Sequence, residues 1–330
     1  MKQSYLKLLI ALLLMVALSG CQTSRNATED VITLPKNQEL RVFWVSGQKA
    51  LAQEHKLTPD IETVLYKSSN LKEYEAVGSI QGSVGYFYVS PKNKEDLFYI
   101  SSEAIGQQGV WKSKDGGKNW RKVFKEPVEF LAFDPTKSST LLIVKNDNEM
   151  GAQIFLSEDE GENWLKSAVL EKAFAVNQIA INPKDPQKML AVAHNGVWST
   201  GDNGQHWSNI FTKSRPFGAA YNPGNSGEAY IAAMDGIYKV TGNEVSKVSI
   251  SEDCKIASPS NLVFRPTTST AYFLNNKETT GVCELEDSNA KTIVTLGQSA
   301  GLVDLLFDSG NSEVLYVVSY KQLTKIDLKK

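Results

Sequence analysis

Arginine, histidine and cysteine are scarce in this 330-residue chain, and the first two scarcities exclude whole classes of function. Five arginines accompany thirty lysines, the formal net charge is −2, and no stretch collects basic residues. Binding to the phosphate backbone of a nucleic acid is therefore not expected. His55, His194 and His206 are far apart and lack the spacing of a metal site. Walker, G-x-S-x-G and dinucleotide-binding glycine motifs are also missing from any suitable context, so we expect neither a metal nor a cofactor.

Long apolar runs are equally scarce, and the single one lies at the N-terminus. It extends over Leu8–Leu18 and follows Lys2 and Lys7. This run is too short for a stable membrane-spanning helix but suits the core of a signal peptide. It ends in Leu18-Ser19-Gly20-Cys21, which resembles the bacterial lipobox, where cleavage precedes a cysteine that then carries lipid.

The lipobox resemblance implies a signal peptide over 1–20 and a membrane anchor on Cys21. The polar segment 21–30 has no apolar pattern and is predicted to be a flexible tether. The resemblance places the protein in the bacterial cell envelope. Gln22, which is not aspartate, implies the outer membrane in a Gram-negative host, and the outer face of the cell membrane otherwise. The alternative is an ordinary signal peptide with a chance cysteine.

Two further cysteines, Cys254 and Cys283, complete the three in the chain. Outside the cytoplasm a lone pair of thiols tends to oxidise, so we predict a disulfide between them. The alternative is two thiols that are buried separately, because sequence alone does not establish their proximity.

A short motif recurs three times, with its aspartates 44 and then 43 residues apart. Each copy holds a hydroxyl residue, an aspartate, a glycine and a tryptophan, in the sets Ser113, Asp115, Gly117, Trp120; Ser157, Asp159, Gly161, Trp164; and Thr200, Asp202, Gly204, Trp207. The motif resembles the Asp box (BNR repeat), S/T-x-D-x-G-x-x-W, of sialidases, sortilin-type receptors, xyloglucanases and photosystem II assembly factors. We predict structural hairpins in which the carboxylate accepts loop amides and the indole is buried, without bound calcium.

The spacing of strand patterns predicts an all-β fold, a single β-propeller of four-stranded antiparallel blades over 31–330. A fainter box with Asn70 precedes the three clear ones, and alternating apolar strands lead into prolines at a period of about forty residues. Seven blades are predicted, with Val31–Pro35 and Val42–Val45 as the first strand pair. The last blade then lacks a fourth strand, which a segment near the N-terminus is predicted to supply. Six blades is the alternative, if 31–45 serves only as the closing strand.

One segment, Ser46–Glu62, breaks this period. Within it, Gln48–His55 is predicted to form a short helix before Pro59. Insertions in repeat proteins map to loops that often bind ligands, whereas a solvated connector is the plain alternative.

Catalytic residues cannot be assigned. The F/Y-R-I/L-P motif and arginine triad of sialidases are missing, and a xyloglucanase-like site needs two propellers, whereas this chain has length for one. Asp134 and Asp308 occupy turn positions where the side chain of an aspartate or asparagine commonly caps the turn. We therefore predict a non-catalytic, membrane-tethered binding or assembly protein with a protein partner of unknown identity.

Two alternatives stay open at this point. One is a glycan-binding or glycoside-hydrolase protein, and the other is a purely structural envelope lipoprotein. Length, anchor and repeat most resemble the photosystem II assembly-factor-like group, whose members chaperone partner subunits. The arginine-rich patch expected in photosynthetic members is not evident here.

Overall fold

A computed structural model of the protein describes residues 28–35, 40–56, 62–82, 84–101, 108–147, 149–249, 259–276, 280–286, 289–296, 302–319 and 322–329. These residues form 28 strands in seven four-stranded antiparallel sheets. The prediction of an all-β, seven-bladed propeller is confirmed, and the six-bladed alternative is wrong. Over the same described residues, nothing forms a helix of the length and apolarity that crossing a membrane requires.

The first four blades follow one another along the chain. Blade 1 comprises β2 (Arg41–Ser46), β3 (Lys49–Lys56), β4 (Glu62–Ser68) and β5 (Glu75–Gln81). Blade 2 comprises β6 (Tyr86–Val89), β7 (Leu97–Ser101), β8 (Gly109–Ser113) and β9 (Arg121–Phe124). Blade 3 comprises β10 (Phe130–Phe133), β11 (Leu141–Asp147), β12 (Gly151–Ser157) and β13 (Leu165–Leu170). Blade 4 comprises β14 (Val176–Ile181), β15 (Met189–Ala193), β16 (Gly196–Thr200) and β17 (Ser208–Phe211).

The remaining blades complete the ring. Blade 5 comprises β18 (Pro216–Tyr221), β19 (Glu228–Ala233), β20 (Gly236–Thr241) and β21 (Glu244–Lys247). Blade 6 comprises β22 (Ser260–Phe264), β23 (Ala271–Asn276), β24 (Thr280–Glu286) and β25 (Asn289–Thr295). Blade 7 comprises β26 (Leu302–Asp308), β27 (Asn311–Ser319), β28 (Gln322–Asp327) and the N-terminal β1 (Thr28–Thr33).

Ring closure joins the two ends of the chain. β1 pairs antiparallel with β28, from Thr28 opposite Asp327 to Thr33 opposite Gln322. The predicted supply of the last strand by an N-terminal segment therefore holds. This pairing completes blade 7 and covers a sheet edge that would otherwise be free to pair with another chain.

Blade-to-blade packing forms the core. Seven clusters of buried apolar side chains lie between consecutive sheets, and each cluster draws on two neighbouring blades. We call each such interface a seam and number it by its blades, so that seam 4/5 lies between blades 4 and 5. Because both faces of every sheet are covered, short strands of alternating apolar residues suffice to build a stable ring.

The two ends of the ring carry different loops. The first-to-second and third-to-fourth strand connections meet at one end, which we call the box face because the three repeated motifs lie there. The second-to-third connections and the segments between blades meet at the other end, which we call the crossover face. β1 starts at the box face, since Thr28 pairs with the end of β28.

Three sequence-based boundaries need correction. Gln48–His55 is not a helix, because Gln48 lies in a turn and Lys49–His55 belongs to β3, which pairs with both β2 and β4. Ladder bonds on two sides outweigh the helical preference of its lysine, alanine and glutamate residues. Val31–Pro35 and Val42–Val45 are not one strand pair, since β1 closes blade 7 and β2 opens blade 1. The predicted tether 21–30 is also too long, because the ladder with β28 extends back to Thr28.

Candidate functional site

In each of the three motif loops, groups of the same loop donate hydrogen bonds to the aspartate carboxylate. In the first loop, Asp115 Oδ1 accepts bonds from the Ser113 hydroxyl at 2.8 Å and the Asn119 amide N–H at 2.9 Å. The Asn119 side chain donates to Oδ2 at 2.7 Å, and the Gly117 N–H donates to the Ser113 Oγ at 2.9 Å. The hairpin therefore satisfies its own carboxylate, which leaves little capacity for an external ligand.

The second and third loops repeat this arrangement. Asp159 accepts from Ser157 at 2.8 Å and from the side chain of Asn163 at 2.6 Å. In the third loop Asp202 accepts from Thr200 at 2.7 Å, and His206 Nδ1 lies 2.6 Å from its second oxygen. His206 thus stands where the other two loops have asparagine.

Hydrogen bonding keeps these carboxylates ionised. The backbone N–H of Asn119, then its side chain and the Ser113 hydroxyl, lower the pKa of Asp115 to about 2. Equivalent bonds from Asn163 lower the pKa of Asp159 to about 2. The three aspartates belong to separate blades, and no group of three potential metal ligands occurs within the described residues. Their geometry favours a structural role over acid–base chemistry.

The predicted lipidation and disulfide sites fall largely outside the structure. Cys21 and Cys254 lie outside the described residues. Cys283 lies on β24 and is fully buried. Lipidation of Cys21 and pairing of Cys254 with Cys283 therefore stay predictions.

Exposed apolar side chains gather at the crossover face. Among the described residues, eight large hydrophobic side chains are exposed, and five of them lie at this end, namely Tyr86, Met150, Phe174, Phe217 and Met234. The other three lie on outer strands. Such a concentration on one face of a folded domain marks an interaction surface more often than chance exposure does.

Four of the side chains at blades 4 and 5 form a connected patch. The rings of Phe174 and His194 meet edge-on with centroids 6.0 Å apart. The Arg215 guanidinium lies 3.5 Å from His194 Nε2 and its carbon lies 5.9 Å from the Phe217 ring centroid. We call Phe174, His194, Arg215, Phe217 and the adjoining Met234 the crossover patch. It combines apolar surface with a cation, a pairing common at protein interfaces.

Hydrogen bonds hold the loops of the patch in place. The Phe174 N–H donates to the Asn195 side chain at 2.9 Å, and the His194 N–H donates to the Phe174 carbonyl at 2.9 Å. The Met234 N–H donates to the Arg215 carbonyl at 2.9 Å. The loop of Phe174 is therefore fixed to the loop of His194 and Asn195, and the loop of Arg215 is fixed to the loop of Met234. These bonds preorganise the patch.

Backbone strain accompanies the display of Phe174. Lys172 has a φ of 64° and Ala175 a φ of 52°, both in the left-handed region that residues with a Cβ rarely adopt. Phe174 lies between them, and its side chain is 58% exposed. Strain of this kind persists where the surrounding structure enforces it, and it is frequent at functional sites.

The sequence alone does not reveal the crossover patch. Phe174 and Phe217 lie in or beside segments between blades, and neither repeats at a fixed position. Their proximity follows from which loops share one end of the ring. Large apolar residues outside the alternating strand pattern were the available signal.

Known proteins resemble this chain in sequence over less than half of its length. No family model matches the chain. The vacuolar protein sorting/targeting protein 10 of Fusarium vanettenii is 24% identical over 155 residues, which is 46% of this chain and 9% of that protein. The human VPS10 domain-containing receptor SorCS3 is 23% identical over 126 residues, or 36% of this chain and 10% of the receptor. The chain thus spans about a tenth of the length of the curated relatives it matches.

Solved structures resemble the whole ring. The Niastella koreensis GH74 enzyme has a TM-score of 0.63 at 14% identity, covering 89% of this chain and 54% of that one. YCF48 bound to D1 peptide also gives 0.63, at 11% identity, covering 92% and 96%. YCF48 from Cyanidioschyzon merolae gives 0.60 at 12% identity, covering 91% and 99%. The chain shares their β-propeller fold. The expected resemblance is thereby confirmed at the level of fold, where neighbours include both hydrolases and a peptide-bound protein.

Proposed function

We propose that this chain is a lipid-anchored binding module of the bacterial cell envelope that docks a protein partner on the crossover patch. The observation that carries the proposal is the patch itself, where Phe174 and Met234 are 58% and 59% exposed beside the Arg215 guanidinium. Preorganised loops lower the entropy lost on association, which favours specific binding at the patch.

The chemistry of the patch defines the partner class. Arg215 stacks on Phe217 and is in no ion pair among the described residues, whereas Asp235 nearby is already engaged by Tyr238 and Lys247. Burial opposes ionisation of Asp235, but hydrogen bonds from Ser214, Tyr238 and Lys247 hold its pKa at about 2. A guanidinium without an acidic partner among the described residues, set beside aromatic rings, suits a polypeptide segment that offers apolar side chains next to a carboxylate. YCF48, which shares the fold, binds the D1 peptide.

The predicted anchor on Cys21 would leave the crossover face accessible to a partner. β1 begins at the box face with Thr28, seven residues after Cys21. An extended segment of that length spans at most about 25 Å. Lipid on Cys21 would hold the box face towards the membrane and leave the crossover face pointing away from it.

A site-specific photocrosslinker tests the docking surface. Placed at Phe217 in the anchored protein within its own membranes, it is expected to give one discrete protein adduct. The matched control position is Leu165 on β13, which is 76% exposed but lies on an outer strand, and it is expected to give none. Arg215→Glu should abolish the adduct at position 217 by replacing the cation with a repelling charge. Equal adducts at both positions, or none at either, would contradict the proposal.

The same experiment separates the alternatives. A structural envelope lipoprotein would yield no specific adduct. The GH74 likeness motivates the glycan alternative, which predicts retention on an immobilised glycan that is indifferent to Arg215→Glu. For the anchor, Cys21→Ser should move the protein from the membrane fraction to the soluble fraction, and unchanged fractionation would refute lipidation at that residue.

A further inference from the structure

The four arginines of the described residues fall into two groups. Arg121 and Arg265 each form an ion pair with a glutamate of the next blade. Arg41 and Arg215 form no ion pair with any residue that the structure describes. Two guanidinium groups are therefore left without a paired acid inside this part of the ring.

These two guanidinium groups have similar surroundings. The Arg41 Cζ lies 5.1 Å from the ring centroid of Tyr86, and the Arg215 Cζ lies 5.9 Å from that of Phe217. Both rings are exposed. A guanidinium that lies over an aromatic face keeps the N–H donors at its edge for a carboxylate. We call Arg41 and Tyr86 the channel pair, and Arg215 and Phe217 the patch pair.

Both pairs lie at the crossover face beside the axis of the ring. Tyr86 is the first residue of β6, and Phe217 is the second residue of β18. First strands of neighbouring blades contact one another around the ring, so they line a central channel. Because first strands start at the crossover face, the two pairs border the mouth of this channel.

The two pairs lie on different sides of the channel mouth. The channel pair joins blades 1 and 2, since Arg41 belongs to β2 and Tyr86 to β6. The patch pair lies at seam 4/5, where Arg215 also approaches His194 of blade 4. Three blades separate the pairs in one direction around the ring and four in the other. A ligand that contacts both pairs by a direct path must therefore cross the mouth.

The acid that interacts with Arg41 from blade 7 is bound by other groups. Asp304 Oδ1 accepts hydrogen bonds from the Leu305 N–H at 2.8 Å and from the Asn261 side chain at 3.0 Å. Burial raises the pKa of Asp304, against the bond from Leu305 and the charge of Arg41. Because burial disfavours its charged form, Asp304 compensates the charge of Arg41 only weakly.

We propose that the docked partner segment crosses the channel mouth and carries two acidic side chains, one bound by the channel pair and one by the patch pair. This inference rests on the proposed docking at the crossover patch and adds a contact on the far side of the mouth. An apolar side chain next to each acid packs on the exposed ring. Two weak contacts joined in one segment reinforce each other only when the linker can span the two sites. The two pairs therefore select a partner by the spacing of its acids as well as by its charge.

NMR of the arginine side chains tests each pair separately, in the full chain, with a capped Asp-Phe dipeptide as the probe. Saturable shifts are expected at the Nε–H signals of Arg41 and Arg215, while Arg121 and Arg265, which are already paired, serve as internal controls without shifts. A capped Asn-Phe dipeptide should shift none of them. A shift at Arg215 alone would overturn the second contact and leave the crossover patch standing. A shift at Arg41 alone, or equal shifts with the asparagine probe, would also overturn the inference.

Joined probes test whether one segment crosses the mouth. Two Asp-Phe units are connected by glycine linkers of increasing length, and their affinity is measured by the same titration. The affinity should pass through a maximum at one range of lengths, where the joined probe binds on the order of a hundredfold more tightly than a single unit. Joined probes that never bind more tightly than a single unit would refute the crossing.

Substitution of either arginine should remove this gain. Arg41→Gln is expected to return the joined probe to single-unit affinity and to retain the shift at Arg215, and Arg215→Gln should do the converse. Arg121→Gln, on the outer strand β9, is the matched control and should leave the gain unchanged. Cooperative thermal unfolding identifies a variant that does not fold, and Tyr86→Ser, at the exposed ring, then replaces Arg41→Gln. A full gain in a folded variant of the channel pair would refute the assignment.

Discussion

The Lys112 ammonium lies beneath the second motif loop, 2.8 Å from the Glu160 carbonyl oxygen and 3.3 Å from its carboxylate. Its side chain is only 2% exposed. Glu160 holds a left-handed φ of 60° at the position where the first loop has Gly116. Both the side chain and the carbonyl of Glu160 bind the lysine, so the ion pair ties this left-handed residue of blade 3 to blade 2 across seam 2/3.

Replacing this buried lysine should destabilise the ring. Lys112→Met keeps the apolar stem but removes the donor, so the part-buried Glu160 carbonyl loses this partner. We expect a loss of about 2 kcal/mol in the free energy of unfolding, measured by urea titration. Lys92→Met removes the exposed partner of the same carboxylate and should cost less than about 1 kcal/mol. Equal losses in the two variants would show that burial of Lys112 is not what matters.

Acid should weaken the motif hairpins in a defined pH window. The folded pKa values of Asp115 and Asp159 are about 2, below the ordinary 3.8, so these groups bind protons more readily in the unfolded chain. Their contribution is present above pH 3.8 and is lost as the pH falls through 2. Asp159→Asn, which cannot ionise, should have a lower urea midpoint than the parent at pH 7, and the difference should shrink towards pH 2. A constant difference across this range would contradict the linkage.

Closure by β1 should depend on its inward side chain. Ile32 packs on the core of seam 7/1, whereas its neighbour Val31 is 57% exposed. Ile32→Asp buries an unpaired charge and is expected to cost about 2 kcal/mol of unfolding free energy, while Val31→Asp should stay within about 0.5 kcal/mol. Urea titration of both variants checks this. If the two substitutions are equally costly, β1 does not close the ring in the register described.

The disulfide prediction has a direct chemical test. Iodoacetamide added to the guanidinium-unfolded, unreduced protein should modify neither Cys254 nor Cys283, because a disulfide does not react with it. Prior reduction should allow both to be alkylated, as measured by peptide mass spectrometry. Adducts on both residues without reduction would establish the separate-thiol alternative.

Much of the architecture could be predicted from repeated residues. The motif loops recur because each hairpin needs the same hydroxyl, acid, glycine and indole, so sequence spacing reports blade spacing directly. The lysine, alanine and glutamate of β3 favour a helix in isolation, and only pairing with β2 and β4 makes this segment a strand. The local sequence carries no record of those partners.

The crossover patch could not be predicted in this way. The crossover patch depends on Phe174 and Phe217 meeting across a seam, which is a property of the closed ring.

The pairing of β1 with β28 also determines how the molecule bears a mechanical load. A pull on the chain before Thr28, directed outwards from the box face, acts along the strand axis, so all six residue pairs with β28 resist it together in shear. A pull across the sheet would instead peel the pairs apart one by one. If the predicted tether is under tension, the load falls on the strongest geometry that a short ladder offers, and the ring stays closed.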